Sequence, residues 1–308
     1  MNRHYCRMCA RLLPQERLLY FRNMPRSAQF LPEAQALQHD TGIDLEVYQC
    51  TGCGLVQISN EPVSYYREVV RAAAFSTEMQ EFRRKQFAAF VRNHGLQGKR
   101  LLEVGCGRGE YLSLLQEAGV IAYGLEYAEA SVQQCISHGL QVSRGYIDHP
   151  EYTLANAPFD AFAVLNFLEH WPDPNASLSG IAHNLSADGI GLVEVPNFDM
   201  MLRKNLFTEF ISDHIFYFTR ETLENLLRLN GFEVLECSEV WYGYILSAVV
   251  RKRRPHAVAT FDQSRQRLKQ RIDDFIHQKG ERGVAIWGAG HQALAAIALL
   301  ELGGAIRY

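Results

Sequence analysis

Four of the seven cysteines form two pairs with the spacing of metal ligands. Each pair has the pattern C-x-x-C, and the four residues are Cys6, Cys9, Cys50 and Cys53. Gly52 lies within the second pair and Gly54 directly follows it, where a tight turn needs positive φ or close backbone approach. This spacing predicts a closed four-thiolate zinc site that holds a small module together and takes no part in chemistry. The alternative is two unrelated redox or surface pairs.

A second segment that could do chemistry is KRLLEVGCGRGEYLSLLQEAG, residues 99–119. A short apolar run, three alternating glycines and leucines at helical spacing predict a strand, a glycine loop and a helix. Such a loop lets a ligand approach the backbone and meet helix N-terminal amides. The next predicted strand ends in Glu126, whose carboxylate can hold both hydroxyls of a ribose. Nicotinamide and flavin domains share this layout, but Glu103 gives the order E-x-G-x-G-x-G instead of G-x-G-x-x-G.

Composition limits the classes of function. The 308 residues include 31 basic and 34 acidic side chains, and 47% are apolar, so the chain can build a sizeable core without a strong field for nucleic acid or an anionic membrane. No apolar run approaches the roughly 20 residues of a membrane span, and the N-terminus lacks a secretory pattern. We therefore expect a cytoplasmic protein that binds neither nucleic acid nor membrane.

The segment LLEVGCGRGEYL resembles the first motif of class I S-adenosylmethionine-dependent methyltransferases. The resemblance continues in FDAFAVLNFLEHWPDP (159–174), in DGIGLVEVPN (188–197) and in a closing antiparallel hairpin at 231–252. It implies an α/β fold with a Rossmann-like seven-stranded sheet and the cofactor across the carboxyl ends of its strands.

The same resemblance assigns the cofactor site. It implies that Glu126 binds the ribose, that Asn166 lies near the sulfonium, and that Cys106 packs beside the cofactor. The full predicted cofactor-binding set is Glu103, Gly105, Cys106, Gly107, Gly109, Glu126 and Asn166.

The order of segments is similar to that of zinc-containing C-methyltransferases that act on nucleotide-linked keto-deoxysugars. These segments are the cysteine module ending in CTGCGLVQ, the methyltransferase core, DHIFYFT and a second glycine turn. The resemblance implies that His214 is the general base and that Asp213, replacing the family's glutamate, orients it. Ile211 stands where the family has tyrosine. The alternative for His214 is a half-buried residue that caps the helix beginning near Thr219.

Further residues follow from the same resemblance. His170, in the loop after the fourth strand, is predicted to hydrogen-bond the substrate's carbonyl oxygen as charge develops there. Tyr65 and Tyr66 follow the cysteine module. The resembled family has tyrosine-containing loops at this point, which implies that these two residues line the substrate cleft.

We predict three parts: a zinc module (1–70), a methyltransferase core (71–255) and an incomplete Rossmann-like unit (256–308) in which GVAIWGAGHQALAAIALLEL supplies strand, turn and helix. The predicted reaction is methyl transfer from S-adenosylmethionine to a carbon next to the ketone of a nucleotide sugar, in a chain that could oligomerise. O- or N-methylation of a metabolite or glycan is the first alternative. A non-catalytic binding protein with this fold is the second.

Overall fold

The computed structural model describes residues 4–29, 32–35, 37–69, 76–280, 283–288 and 290–306. The chain forms two compact units, Met1–Arg253 and Arg254–Tyr308. The predicted boundary between zinc module and core, at 70 and 71, lies outside the described residues.

A seven-stranded sheet forms the centre of the first unit. Its strands are β4 Arg100–Val104, β5 Ile121–Glu126, β6 Gln141–Arg144, β7 Phe159–Leu165, β8 Leu185–Pro196, β10 Phe232–Val240 and β11 Ile245–Lys252. They lie in the order β10-β11-β8-β7-β4-β5-β6. The five strands from β4 to β8 are parallel to one another, and β10 and β11 add an antiparallel hairpin at the β8 edge. The predicted α/β methyltransferase sheet is confirmed.

Helices follow the strands because the sequence alternates buried apolar runs with capped amphipathic segments. They are α1 Thr77–Asn93, α2 Glu110–Glu117, α3 Glu129–Ser137, α4 Pro174–His183, α5 Phe198–Lys204 and α6 Arg220–Leu229. The side chain of Thr219 accepts from the N–H of Thr222 at the start of α6. Thr219 is therefore the cap of α6, and His214 is not.

A smaller antiparallel sheet contains the cysteine module. Its strands are β1 Leu19–Met24, β2 Ile43–Gln49, β3 Val56–Ile58 and β9 Phe216–Tyr217, in that order. The last strand comes from the segment that directly follows His214, and Val56 pairs with Tyr217. The core chain thus completes the sheet of the cysteine module.

The second unit contains α7 Ala259–Lys279 and α8 His291–Leu299. In the predicted glycine turn, Gly288 has φ +101°. Among the described residues, the predicted strand is limited to one parallel bridge between Val284 and Ile306. Among the described residues, no helix combines the length and apolar character that crossing a membrane requires.

A buried ion pair joins α1 to β8. Arg83 and Glu194 are both 0% exposed, and the guanidinium donates to the carboxylate, which also accepts from Gln86. We expect Glu194→Ala to lower the free energy of unfolding by about 3–5 kcal/mol, because the arginine charge stays buried without its partner. Urea unfolding measures this effect. In the exposed pair Arg84–Glu117, the control Glu117→Ala should cost about 0–1 kcal/mol, and equal losses in both variants would contradict the prediction.

Candidate functional site

The glycine loop lies at the carboxyl end of β4. Gly105, Gly107 and Gly109 have φ of +71°, +59° and +85°, a region that side chains rarely adopt. A Cβ on Gly105 would lie 2.4 Å from the ring of Phe167, so only glycine lets the loop approach the segment after β7. The backbone conformation and the packing against Phe167 therefore both require glycine at position 105.

Glu126 is fixed beside this loop. Its Oε2 accepts from the N–H of Gly107 at 2.9 Å, and its Oε1 accepts from the N–H of Ala128 at 2.8 Å. The side chain is only 6% exposed. The carboxylate therefore lies at the end of β5, held by backbone donors, and a carboxylate can also accept hydrogen bonds from hydroxyl groups.

The remaining predicted cofactor residues divide into two groups. Glu103 and Cys106 are completely buried, and a Cβ on Gly124 would lie 2.6 Å from the Cys106 Sγ, so this cysteine packs against β5. Asn166 directly follows β7, at φ +50°, and its N–H donates to the carbonyl of Glu194. A left-handed residue at this point turns the chain across the strand ends.

A narrow cleft connects these elements. Its lining comprises Arg67, Val104, Gly105, Leu125, Tyr127, Gly145, Tyr146 and Phe167. Arg67 was not predicted as a site residue, and its guanidinium lies 5.0–5.2 Å from the ring centres of Tyr66, Tyr127 and Tyr146. The three tyrosine rings form a cage around the guanidinium. They come from three separate segments, so the cage exists only in the folded chain and no local sequence pattern predicts it.

His170 and His214 lie side by side at the same edge of the sheet. Their ring centres are 4.9 Å apart, and His170 is 6.3 Å from the ring of Phe167, which contacts the glycine loop. Burial lowers the pKa of His170 to about 4, and burial together with the neighbouring imidazole lowers the pKa of His214 to about 3. Both rings are therefore neutral near pH 7.

The hydrogen bond of His170 fixes its tautomer. Its Nδ1 lies 2.8 Å from the carbonyl oxygen of Asp213, which can only accept, so Nδ1 carries the proton. In the neutral ring Nε2 is then an acceptor. This geometry disagrees with the predicted role of His170 as a donor to a substrate carbonyl.

Asp213 also differs from its predicted role. Its Oδ1 accepts from the phenol of Tyr65 at 2.7 Å and from the N–H of Ala28 at 3.1 Å. Among the described residues, no hydrogen bond joins this carboxylate to His214, so Asp213 orients His170 through its backbone instead. Its Oδ2 is buried and has no hydrogen-bond partner in the described part of the chain.

The four predicted zinc ligands converge. All four Sγ atoms lie within 4.8 Å of one another, with Cys6 and Cys53 3.5 Å apart and Cys9 and Cys50 3.6 Å apart. Tetrahedral zinc with Zn–S bonds of about 2.3 Å places its sulfur ligands about 3.8 Å apart, so the cluster fits this ion.

The two C-x-x-C turns have the same backbone geometry. The N–H of Ala10 donates to the carbonyl of Cys6 and that of Gly54 to Cys50, both at 2.9 Å, with φ of +58° and +78° at the donors. At Gly52, a Cβ would meet the Arg11 side chain at 2.6 Å. Gly54 therefore has the positive φ, and Gly52 the close approach to a neighbour, that the sequence predicted for this turn.

The cysteine module contacts both histidine loops. Near the first turn, Arg7 Nη1 donates to the carbonyl of Pro172, and Asn175 Nδ2 donates to the carbonyls of Arg7 and Met8. Near the second, Ile58 donates to the carbonyl of Ile215, next to His214. The module therefore supports the segments that follow His170 and His214.

The sheet, the glycine loop and the acid at the end of β5 define a class I S-adenosylmethionine-dependent methyltransferase fold. The chain belongs to the methyltransferase-domain family, whose profile matches residues 77–237.

Several known proteins are similar to this chain. A ubiquinone biosynthesis O-methyltransferase of Idiomarina loihiensis is 38% identical over 108 residues, covering 32% of this chain and 44% of that protein. C-methyltransferase NovU of Streptomyces niveus is 24% identical over 222 residues, covering 70% of this chain and 53% of that protein. The chain thus spans about half the length of these relatives. The crystal structure of an S-adenosylmethionine-dependent methyltransferase from Clostridium acetobutylicum is 12% identical, with a TM-score of 0.47, covering 61% of this chain and 96% of that one.

Glu126→Gln tests the predicted ribose contact. We expect S-adenosylmethionine to bind about 10- to 100-fold more weakly, because a charge-assisted hydrogen bond is lost and the amide places a donor against a backbone N–H. Isothermal titration calorimetry measures this change. Glu117→Gln, an exposed acid at the end of α2, serves as the control. Equal affinity in both variants would remove Glu126 from the cofactor site.

Proposed function

We propose that this protein transfers the methyl group of S-adenosylmethionine to a carbon next to the ketone of a nucleotide-linked keto-deoxysugar. The observation that carries the proposal is the neutral pair His170–His214, placed next to Phe167 and the glycine loop. Carbon next to a ketone is a nucleophile only after it loses a proton, and a neutral imidazole can take that proton. The 70% coverage of this chain by the alignment with NovU supports the same chemistry.

In the proposed reaction, His214 removes the proton and leaves the electron pair in an enolate. The carbon then attacks the methyl group, and the sulfur leaves with its bonding pair as S-adenosylhomocysteine. The low pKa keeps His214 unprotonated before reaction, and the enolate's negative charge favours the imidazolium afterwards. Holding the two reactants at contact distance supplies most of the rate acceleration.

Polar groups around the histidines suit a hydroxylated substrate. Nε2 of His170 and Oδ2 of Asp213 are acceptors, and Tyr65 is held by the same aspartate. Ile211 lies where the resembled family has tyrosine, and its N–H donates to the phenol oxygen of Tyr217 at 3.1 Å. A nucleotide-linked sugar that presents hydroxyls to acceptors is therefore the substrate class we favour.

We also propose that Cys6, Cys9, Cys50 and Cys53 hold a structural zinc ion. The support is the mutual distance of the sulfurs and the matched geometry of the two turns. Four thiolates leave no open coordination position, so this ion would stabilise the module and not bind substrate.

Solvent hydrogen exchange tests the proposed reaction without methyl transfer. The protein is incubated in deuterated water with S-adenosylhomocysteine and a nucleotide-linked 4-keto-6-deoxysugar, and carbon-bound hydrogen is followed by NMR. We expect deuterium to enter at the carbon next to the ketone. Absence of exchange, together with methyl transfer to an oxygen of the same substrate when S-adenosylmethionine replaces S-adenosylhomocysteine, would overturn the proposal.

O-methyl transfer is the second candidate. The observation that favours it is the 38% identity to an O-methyltransferase over 108 residues, together with isoleucine at position 211. A hydroxyl nucleophile needs less help from a base, and His214 would then only position it. The exchange experiment separates the two candidates, because only carbon chemistry labels the substrate carbon.

A further inference from the structure

We propose that Glu169, His170 and His214 form a second metal site, for a divalent transition-metal ion, separate from the thiolate cluster. One ligand atom from each of these residues lies within 4.8 Å of the other two. Nε2 of His170 is 3.8 Å from Oε1 of Glu169. The inference concerns binding and does not depend on the reaction proposed above.

The donor set matches known metal chemistry. Two imidazoles and one carboxylate bind zinc, cobalt or iron, and three protein ligands leave a position open for water or substrate. Bonds of about 2.0–2.2 Å in a tetrahedral site place the ligand atoms about 3.4 Å apart. The distance between Glu169 and His170 therefore has to shorten by about 0.4 Å, and no distance in the cluster by more than about 1.4 Å.

The contact of His170 provides an independent argument. A metal-bound histidine usually donates its other ring N–H to a carbonyl or carboxylate, which orients the ring. Here Nδ1 donates to the carbonyl of Asp213, so Nε2 carries the lone pair and lies 3.8 Å from Oε1 of Glu169. The ring is already oriented as a ligand requires.

The three side chains differ in their exposure to solvent. Glu169 and His170 are 2% and 5% exposed, whereas His214 is half-buried. Two ligands thus lie inside the protein, and the site opens on the side of His214. This arrangement differs from a solvated cluster of acids, which seldom holds an ion tightly.

Metal binding and base catalysis compete for one lone pair. An imidazole nitrogen that coordinates an ion cannot accept a proton from carbon. If His214 is the base, an ion at this site inhibits the enzyme reversibly, and a chelator that leaves the thiolate zinc in place restores activity.

Cobalt(II) is the probe that tests the site. The protein, isolated with zinc in the thiolate cluster, is dialysed against Co2+, and bound cobalt and zinc per chain are measured together with the visible spectrum. We expect one equivalent of cobalt with ligand-field bands and no thiolate charge-transfer band, while zinc stays at one equivalent. The variant His214→Ala should retain its zinc and bind no cobalt at the same free concentration.

Controls separate this site from surface binding. His170→Ala should also lose the cobalt, and His138→Ala, an exposed histidine at the end of α3, should keep it. Retained zinc shows that each variant is folded. No cobalt in the unaltered protein, or cobalt retained by both His170→Ala and His214→Ala, would overturn the inference. The hydrogen-exchange experiment, run without added metal, judges the proposed reaction separately.

Discussion

Replacing His214 with alanine should lower the rate of methyl transfer about 10²- to 10⁴-fold and abolish solvent exchange into the substrate. The reason is that general-base catalysis is lost while the glycine loop and Glu126, which bind the cofactor, are untouched. Affinity for S-adenosylmethionine should therefore stay unchanged. Single-turnover rates with radiolabelled methyl donor measure the first effect, and NMR measures the second.

His138→Ala is the matched control for this variant, since it removes an exposed imidazole. It should retain full activity. A His214→Ala protein that binds the cofactor normally and still transfers methyl at nearly the original rate would exclude His214 as the base. In that case, continued exchange would point to another base acting on the same carbon, and absence of exchange would point to heteroatom chemistry.

Replacing Cys50 with serine should remove the metal and lower both stability and activity. Structural zinc contributes about 10–16 kcal/mol of apparent binding free energy in zinc-finger peptides, so its loss should unfold the cysteine module. We expect methyl transfer to fall at least as far as in His214→Ala. The reason is that the module contacts Pro172 and Ile215, beside the two histidines.

Zinc content, thermal unfolding and amide hydrogen exchange at residues 211–218 measure these effects. Cys237→Ser is the control, because this buried cysteine on β10 lies outside the cluster. Unchanged zinc content in Cys50→Ser would contradict the proposed ligand set. Lost zinc with normal activity and normal protection at 211–218 would show that the module does not support the histidine loops.

Local patterns predicted the central part of the fold well. LLEVGCGRGEYL specifies strand, loop and helix through residues adjacent in sequence, and Glu126 follows from the end of the next strand. The two cysteine pairs could also be identified as metal ligands from the sequence, because the ligand spacing within each turn is local. The family-level prediction depended on these segments and is confirmed over residues 77–237.

Contacts between distant segments were not predictable in the same way. The tautomer of His170 is set by the carbonyl of Asp213, a backbone atom that no side-chain pattern reveals. The cage around Arg67 needs three loops to meet, and Tyr65 contacts Asp213 although the two residues are 148 positions apart in sequence. The chemistry assigned to His170 therefore changed once its neighbours were known, whereas His214 keeps its predicted role as the base in the proposed reaction.

The small sheet has a consequence for synthesis of the protein. Its fourth strand, β9, follows the parallel sheet in the chain, whereas β1 to β3 precede it. During translation the N-terminal strands emerge first and must wait with β3 as an open edge until β9 leaves the ribosome. Ribosome-bound chains from which β9 has not yet emerged should therefore bind chaperones through this edge, even when their cysteines have already captured zinc.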